Sequence, residues 1–259
     1  MDSSWYALPI LLFTGIISGF INTLAGSGSA LTLPVLSFLG LPANMANGTN
    51  RVAVLFQSAI GYYTFRKGGV VPSFNKAMLW LILPTVIGAI LGALIAVQLD
   101  EKMMNLALGL LMVFLLGLVV FNPKKWLLDQ TADPDKFKSV GNVLLFFMIG
   151  LHGGFIQAGV GVLLLSALVL SAGYSLISAN SIKLLIVLAF GFPALCLFAY
   201  YGQINWYYGL LLTMGQGFGA WLAAKFALHS PNAPIWIRRL LVVVLVVGII
   251  RFLGLWFYS

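Results

Sequence analysis

The sequence predicts an all-α, polytopic membrane protein built from two inverted repeats of about five apolar segments each. Three observations lead to this prediction: an apolar composition, apolar runs that recur along the whole chain, and glycine-rich motifs that occur twice in the same order. Of the 259 residues, 61% are hydrophobic and 8% are charged, whereas about a quarter of the residues in a soluble domain are charged. We expect a first repeat at 1–121, a cytoplasmic linker at 122–139 and a second repeat at 140–259.

About ten apolar segments can be placed along the chain, and most are long enough to cross a bilayer. Their expected bounds are 5–24, 29–41, 46–65, 75–98, 103–121, 140–156, 158–172, 177–200, 205–228 and 234–258. The polar stretch from Asn122 to Val140 has the composition of a solvated linker. No Lys or Arg precedes the first apolar run, so this run does not look like a cleaved signal peptide and we expect it to be retained.

Basic residues are concentrated in a few short loops, which explains the net charge of +8 without a nucleic-acid partner. Such loops stay on the cytoplasmic side of a membrane. The basic residues assigned to the cytoplasm in this way are Arg66, Lys67, Lys76, Lys124, Lys125, Lys136, Lys138, Lys225, Arg238 and Arg239. The loop with Asp100 and Glu101 and the uncharged loop around Gly202 are then external, as are both termini.

The two halves of the chain share short motifs in the same order. Gly19–Asn22 matches Gly154–Gln157, and Ala25–Gly28 matches Ala158–Gly161. Further ordered matches are Gly40 with Gly173, Ala46-Asn47 with Ala179-Asn180, and Gly88 and Gly92 with Gly215 and Gly219. A repeat with an odd number of segments places its second copy upside down. Inverted repeats build many secondary transporters, with the substrate site at the repeat interface.

Each glycine motif is followed by a short apolar run of roughly 12–15 residues, about 20 Å of helix, which is less than the ~30 Å hydrocarbon core. We therefore expect the first two segments of each repeat to form a broken or re-entrant hairpin, with ten tilted full spans as the alternative. The start of a half-helix presents backbone N–H groups and a positive dipole end, which suit an anion. Alternatively, glycines only allow close helix packing, the interpretation we prefer for Gly88, Gly92, Gly215 and Gly219.

The Gly/Ser stretch that leads to Pro34, the sequence LGLPANMANGTN after it and the second copy of these motifs resemble the TauE/SafE family of sulfite exporters and related permeases. The resemblance covers nearly the whole chain. It implies a polytopic protein of the bacterial inner membrane that moves small anions, such as sulfite, organosulfonates or other organic acids. The second copy lacks a counterpart of Pro34 and has Val160 and Val162 in place of Ser27 and Ser29, so we expect two unequal half-sites.

Two basic residues, Lys183 and Arg51, lie within apolar segments, where a charge is costly and functional by default. We expect them to attract an anion; alternatively, each reaches the lipid headgroups. His152 is a candidate substrate or proton contact, or else a packed, hydrogen-bonded residue. The predicted substrate-binding residues are Asn22, Gly26, Ser27, Gly28, Ser29, Asn47, Thr49, Asn50, Arg51, His152, Gln157, Gly159, Gly161, Asn180 and Lys183.

Other roles are open for several polar residues. Asn47, Thr49, Asn50 and Asn180 lie near segment starts, where they could instead cap helices. Gln57 and Gln216 lie deeper, where hydrogen bonds between helices are the alternative.

All six acidic residues lie at segment ends or in loops, so no proton relay or sodium site made of mid-membrane carboxylates is expected. The sequence has no HExxH, paired-aspartate or phosphate-loop motif, and Cys196 has no metal-ligand cluster around it. We therefore expect no enzymatic activity, no cofactor and no metal. The predicted function is secondary transport of a small anion by alternating access. An anion channel and a membrane assembly factor are the alternatives, and the chain could act as a monomer or a homodimer.

Overall fold

A computed structural model describes residues 6–71, 76–121, 138–229, 246–247, 249–250 and 253, and every regular element within them is helical. The helices are α1 (Ala7–Ala25), α2 (Ser29–Phe38), α3 (Ala43–Lys67), α4 (Leu79–Gln98), α5 (Glu101–Phe121), α6 (Val140–Phe155), α7 (Val160–Ser166), α8 (Leu176–Tyr200) and α9 (Trp206–His229). A 3-10 turn at Lys76–Met78 precedes α4, and α7 continues as a π-helix over Ala167–Ser171.

The all-α prediction is therefore confirmed for this part of the chain, and each of the first nine predicted segments corresponds to a helix. The tenth segment, at 234–258, and most of the linker, at 122–137, lie outside the described residues. Helix α3 begins at Ala43, earlier than predicted, because Pro42 has an extended backbone that a helix can follow directly.

Within the part of the chain that the structure describes, three helices are long and apolar enough to cross a membrane: Ala7–Ala25, Leu79–Gln98 and Ile177–Tyr200. Helices α2 and α6, and α7 together with the start of the π-helix that follows it, are apolar but shorter. With 10 residues, α2 is only about 15 Å long. The expected mixture of long and short apolar helices is therefore present.

Glycines bring the helix pairs α1–α9 and α4–α6 into close backbone contact. A Cβ atom at Gly88 or Gly92 of α4 would overlap a backbone carbonyl oxygen of α6. The same change at Gly215 or Gly219 of α9 would overlap a carbonyl oxygen of α1. The packing role predicted for these four glycines is confirmed.

Helices α3 and α8 pack against each other, and each also contacts one of the two close pairs: α3 packs on α9, and α8 packs on α4. Their buried faces are unusually polar, and the polar residues buried there are Asn47, Thr49, Asn50, Arg51, Gln57, Ser58, Asn180, Ser181 and Lys183. Large apolar side chains such as Phe13, Ile87 and Met214 are instead exposed on outer faces. This distribution suits a protein surrounded by lipid.

Candidate functional site

The two glycine motifs meet inside the helix bundle. Gly26 ends α1 and Gly159 precedes α7, and both have a left-handed backbone, with φ of 79° and 76°. The backbone N–H of Gly161 donates to the carbonyl oxygen of Gly26 at 3.1 Å. A Cβ atom on either Gly26 or Gly161 would overlap the backbone of the other, so this crossing requires glycine on both sides.

After the first motif the chain turns back along α1. The hydroxyl of Ser18 donates to the carbonyl oxygen of Gly28 at 2.9 Å. The start of α2 is also bound to α3, because the Asn50 amide nitrogen donates to the Ser29 hydroxyl at 2.9 Å and the Asn50 amide oxygen accepts from the Thr32 hydroxyl at 2.6 Å. Ser27 directly precedes Gly28 in the chain. Its hydroxyl is buried and has no hydrogen-bond partner.

The second motif also follows a helix that ends in the bundle interior. Helix α6 ends where Ile156 adopts an extended backbone, with φ −133° and ψ 117°. The Nε2 atom of His152 lies 3.0 Å from the carbonyl oxygen of Ala158, to which it donates. The imidazole therefore fixes the turn between α6 and α7, as the packing alternative for this residue predicted.

Lys183 of α8 binds the last turn of α1. Its ammonium nitrogen donates to the carbonyl oxygens of Asn22 at 3.0 Å and Thr23 at 2.8 Å, and to the side-chain oxygen of Asn180 at 2.8 Å. Only 1% of Lys183 is exposed, so it does not reach the lipid headgroups. Its charge offsets the negative dipole end of α1.

Arg51 of α3 has the equivalent relationship with α6. Its guanidinium donates to the carbonyl oxygens of Gly153 at 3.2 Å, Gly154 at 2.5 Å and Phe155 at 3.3 Å. The guanidinium also lies 4.4 Å from the centre of the Phe198 ring. The Asn47 amide nitrogen donates to the Phe155 carbonyl at 2.8 Å. Arg51 is 1% exposed, so the headgroup alternative is wrong for this residue as well.

A small cavity of about 10 Å³ lies beside the crossing of the two motifs, which is room for roughly one water molecule in this conformation. It is lined by residues of α1, α3 and α8, of the turn before α7 and of the first turn of α7. The polar lining residues are Asn22, Ser58, Gln157 and Lys183, and the others are Val54, Val160, Gly161, Leu184 and Val187. Four predicted site residues, Asn22, Gln157, Gly161 and Lys183, are therefore brought together here.

Two of the polar side chains in this cavity have no hydrogen-bond partner. Both amide atoms of Gln157, which is 2% exposed, and the hydroxyl of Ser58, which is fully buried, are unpaired. Buried polar groups are normally hydrogen-bonded, so an unpaired one needs an explanation such as a ligand or water. Asn22, in contrast, is fixed, because its amide nitrogen donates to Gln57 at 2.6 Å.

The remaining predicted residues lie around the cavity or at helix contacts. The Thr49 hydroxyl accepts from the backbone N–H of Asn205 at 2.9 Å and so fixes the start of α9. The capping alternative for Asn47, Thr49, Asn50 and Asn180 is wrong, since the helix caps are Pro42 for α3 and Ser175 for α8. Gln57 and Gln216 do make the expected hydrogen bonds between helices, to Thr23 and Ser18 respectively.

Ser58 is a cavity residue that the sequence analysis missed. It directly follows Gln57 and lies one helical turn after Val54, another lining residue. A serine in a membrane helix commonly bonds its own backbone, so its type alone gives no signal. Among the described residues, no group of three or more His, Cys, Asp or Glu side chains could hold a metal ion.

Known proteins similar to this chain are membrane proteins of bacteria. The chain is 28% identical to "Probable membrane transporter protein ORF9" of Sinorhizobium sp over 98% of its length and 95% of that protein. It is 28% identical to a "Probable membrane transporter protein" of Haemophilus influenzae, covering 88% of each chain. It is 24% identical to "Probable membrane transporter protein YfcA" of Escherichia coli K12 over 92% of its length and 86% of that protein.

No solved structure matches the chain significantly. The family description "Sulfite exporter TauE/SafE" matches residues 11–252, nearly the whole sequence. Together with the apolar helices, this match identifies a membrane protein that belongs to the TauE/SafE family of membrane transporters.

Proposed function

We propose that the chain is a secondary transporter of small oxyanions, with sulfite and organosulfonates as the preferred class, and that the cavity beside the glycine crossing is its substrate site. One observation carries this proposal: a buried ammonium group and the unpaired polar groups of Gln157 and Ser58 line the same cavity. An oxyanion suits the donors of this set, because it brings acceptors for the Gln157 amide NH2 and the Ser58 hydroxyl and a negative charge opposite the Lys183 ammonium. Family membership supports sulfur oxyanions as the first substrates to test.

The packing of the helices supports two inverted repeats, α1–α5 and the chain from α6 onward. Helix α1 packs on α9 as α6 packs on α4, and α3 packs on α9 as α8 packs on α4. Left-handed glycines also occur in pairs at equal spacing: Gly26 with Gly159, Gly40 with Gly173, and Gly69 with Gly202. In this arrangement α1–α2 and α6–α7 are the two broken hairpins, and their crossing is the repeat interface.

Alternating access would occur by movement of one repeat against the other around this crossing. Arg51 and Lys183 each bind backbone carbonyls of the opposite repeat, so both belong to the contacts that a rocking motion rearranges. The basic ends of α3, at Arg66 and Lys67, support a cytoplasmic position for the loop after α3. We propose that the chain lies in the bacterial inner membrane with both termini outside, and the bacterial relatives support this location.

The proposal is tested by counterflow in proteoliposomes that contain the purified full chain. Vesicles are loaded with unlabelled sulfite or methanesulfonate and diluted into a trace of the labelled anion. A carrier exchanges the two and accumulates label transiently above its equilibrium level. A channel lets label equilibrate without this overshoot. Absence of any flux above that of empty vesicles, for either anion, contradicts the proposal.

Substitutions in the cavity test whether the transported anion binds there. Gln157→Leu and Ser58→Ala remove groups that make no hydrogen bond within the protein, so we expect folding to be retained and counterflow to fall. Lys67→Gln is a control for substitution outside the cavity and should leave counterflow unchanged, because Lys67 is exposed at the end of α3. Unchanged counterflow in both cavity variants would exclude this cavity as the site while leaving transport itself intact.

A further inference from the structure

The charge of the cavity limits the charge of its ligand. We propose that the site accepts oxyanions with a single negative charge, such as hydrogensulfite and alkanesulfonates, and rejects dianions of the same size, such as sulfate. This inference rests on the proposed function and specifies its substrate class. It follows from the charges and surfaces that face the cavity.

Lys183 is the single charged side chain among the residues that line this cavity. Two ionisable groups on neighbouring elements are engaged elsewhere. Arg51 of α3 binds the end of α6 and the face of Phe198, and His152 of α6 binds the Ala158 carbonyl. Neither residue lines the cavity.

The positive charge of Lys183 is already partly balanced. All three of its hydrogen bonds go to oxygen atoms, two of them carbonyls in the last turn of α1. These carbonyls carry the negative end of the helix dipole, about half an elementary charge. With the ammonium at +1 and the helix end at about −0.5, a monoanion leaves a net charge of about −0.5 in the site, whereas a dianion leaves about −1.5 inside the bundle.

The free-energy cost of removing water from the anion also favours a monoanion over a dianion. The hydration free energy of an ion rises with the square of its charge, so a dianion loses about four times as much as a monoanion of equal size on entering a site of low dielectric constant. The cavity offers few groups to repay this loss: one ammonium and the neutral groups of Asn22, Ser58 and Gln157.

The rest of the lining favours an anion with one apolar side. Val54, Val160, Leu184 and Val187 contribute only aliphatic side chains. The methyl group of methanesulfonate can pack against such a surface, whereas the fourth oxygen of sulfate would lose hydrogen bonds with water there. Methanesulfonate and sulfate are thus a matched pair, with the same tetrahedral sulfur centre and different charge.

The test is competition for counterflow of labelled methanesulfonate by the wild-type chain at one fixed pH and ionic strength. We expect ethanesulfonate to compete well and sulfate to compete at least about tenfold more weakly. Equal competition by sulfate would overturn the charge limit while leaving the transporter proposal intact. Absence of methanesulfonate and sulfite flux would instead overturn the proposed function, and the charge limit with it.

A second cation in the cavity should reverse this preference. Gln157→Lys adds an ammonium group at a lining position whose amide has no partner, and we expect sulfate to compete as well as, or better than, ethanesulfonate. Gln157→Met, which is neutral and of similar length, is the matched control: its counterflow should fall as in Gln157→Leu, and the remaining flux should keep the wild-type order of competition. A folded Gln157→Lys variant with the wild-type order would contradict the inference. The anion series on the wild-type chain remains decisive if that variant does not fold.

Discussion

The ammonium nitrogen of Lys183 lies 3.0 Å from the carbonyl oxygen of Asn22, a residue 161 positions earlier in the chain. A cation on α8 thus stabilises the end of α1. Arg51 on α3 does the same for the end of α6. Both helices end in the bundle interior, where backbone carbonyls without partners would be costly. The two buried cations therefore hold in place the ends of α1 and α6, the two helices that precede the crossing of the motifs.

Replacing Arg51 should destabilise the fold. Arg51→Met leaves the carbonyls of Gly153 and Gly154 without their donor, which we expect to cost about 3 kcal/mol and to lower the Tm by roughly 6–12 °C. The Tm of Arg51→Lys should lie between those of the wild type and Arg51→Met, because a single ammonium cannot reproduce the forked guanidinium contacts. Thermal unfolding followed by tryptophan fluorescence in detergent measures this. Arg66→Met, at an exposed position, is the control, and an equal Tm for both Met variants would refute the role given to Arg51.

Gly26 should be far less replaceable than Gly40, although both have a left-handed backbone, with φ of 79° and 90°. An alanine at Gly40 has open space around its Cβ and costs about 1–2 kcal/mol for its backbone alone. An alanine at Gly26 also collides with the backbone of Gly161. We expect Gly40→Ala to yield monodisperse protein on size-exclusion chromatography and Gly26→Ala to yield little. Similar yields of the two variants would contradict the close backbone contact between Gly26 and Gly161.

The close pairing of α4 and α6 makes a similar prediction. Gly92→Ala places a methyl group against the carbonyl oxygen of Leu151 and should lower the Tm. Gly191 of α8 is the control, because its added Cβ would meet only the mobile end of Leu55, at 3.3 Å. Gly191→Ala should leave the Tm unchanged or raise it, since alanine favours a helix interior by up to about 1 kcal/mol. A Tm for Gly92→Ala at or above that of Gly191→Ala would rule out a close backbone contact.

A carboxylate near Lys183 should abolish anion transport. Gln57→Glu keeps the oxygen that accepts from Asn22 and introduces a negative charge next to the residue whose carbonyl binds Lys183. This charge competes with a substrate anion for the ammonium. We expect counterflow per folded molecule to fall to background. Gln216→Glu, another fully buried glutamine that bonds Ser18 of α1 away from the cavity lining, should retain it. Equal retention by both variants would contradict this electrostatic account.

Much of the fold follows from local features of the sequence. Apolar runs predicted nine helices, and the paired motifs located the left-handed glycines Gly26 and Gly159. The partners of Arg51 and Lys183 could not be predicted in this way. Both residues bind carbonyls more than a hundred positions away, and a carbonyl has no side-chain signature. The sequence around each cation was therefore equally consistent with exposure at the headgroups.

Only some of the residues that line the cavity could be predicted from the sequence. Asn22, Gln157 and Lys183 were recognised because polar residues in apolar segments are conspicuous. Ser58 was missed, and Thr49 proved to bond the backbone of Asn205 in the other half of the chain. Which face of α3 points into the cavity depends on how α3 packs against α8 and α9, and this tertiary information is absent from any single segment.

The most direct test of the central claim, that an oxyanion occupies this cavity, is protection of a cysteine at Ser58. Cys196 is the sole native cysteine and is exposed, so Ser58→Cys in a Cys196→Ser background carries one thiol within the cavity. Modification by a small, membrane-permeant thiol reagent is timed with and without methanesulfonate. We predict that methanesulfonate slows modification at Ser58→Cys in a saturable manner, and that it leaves the modification rate of Cys196 in the wild-type chain, the control, unchanged. Modification of Ser58→Cys at one constant rate across all methanesulfonate concentrations would contradict the account.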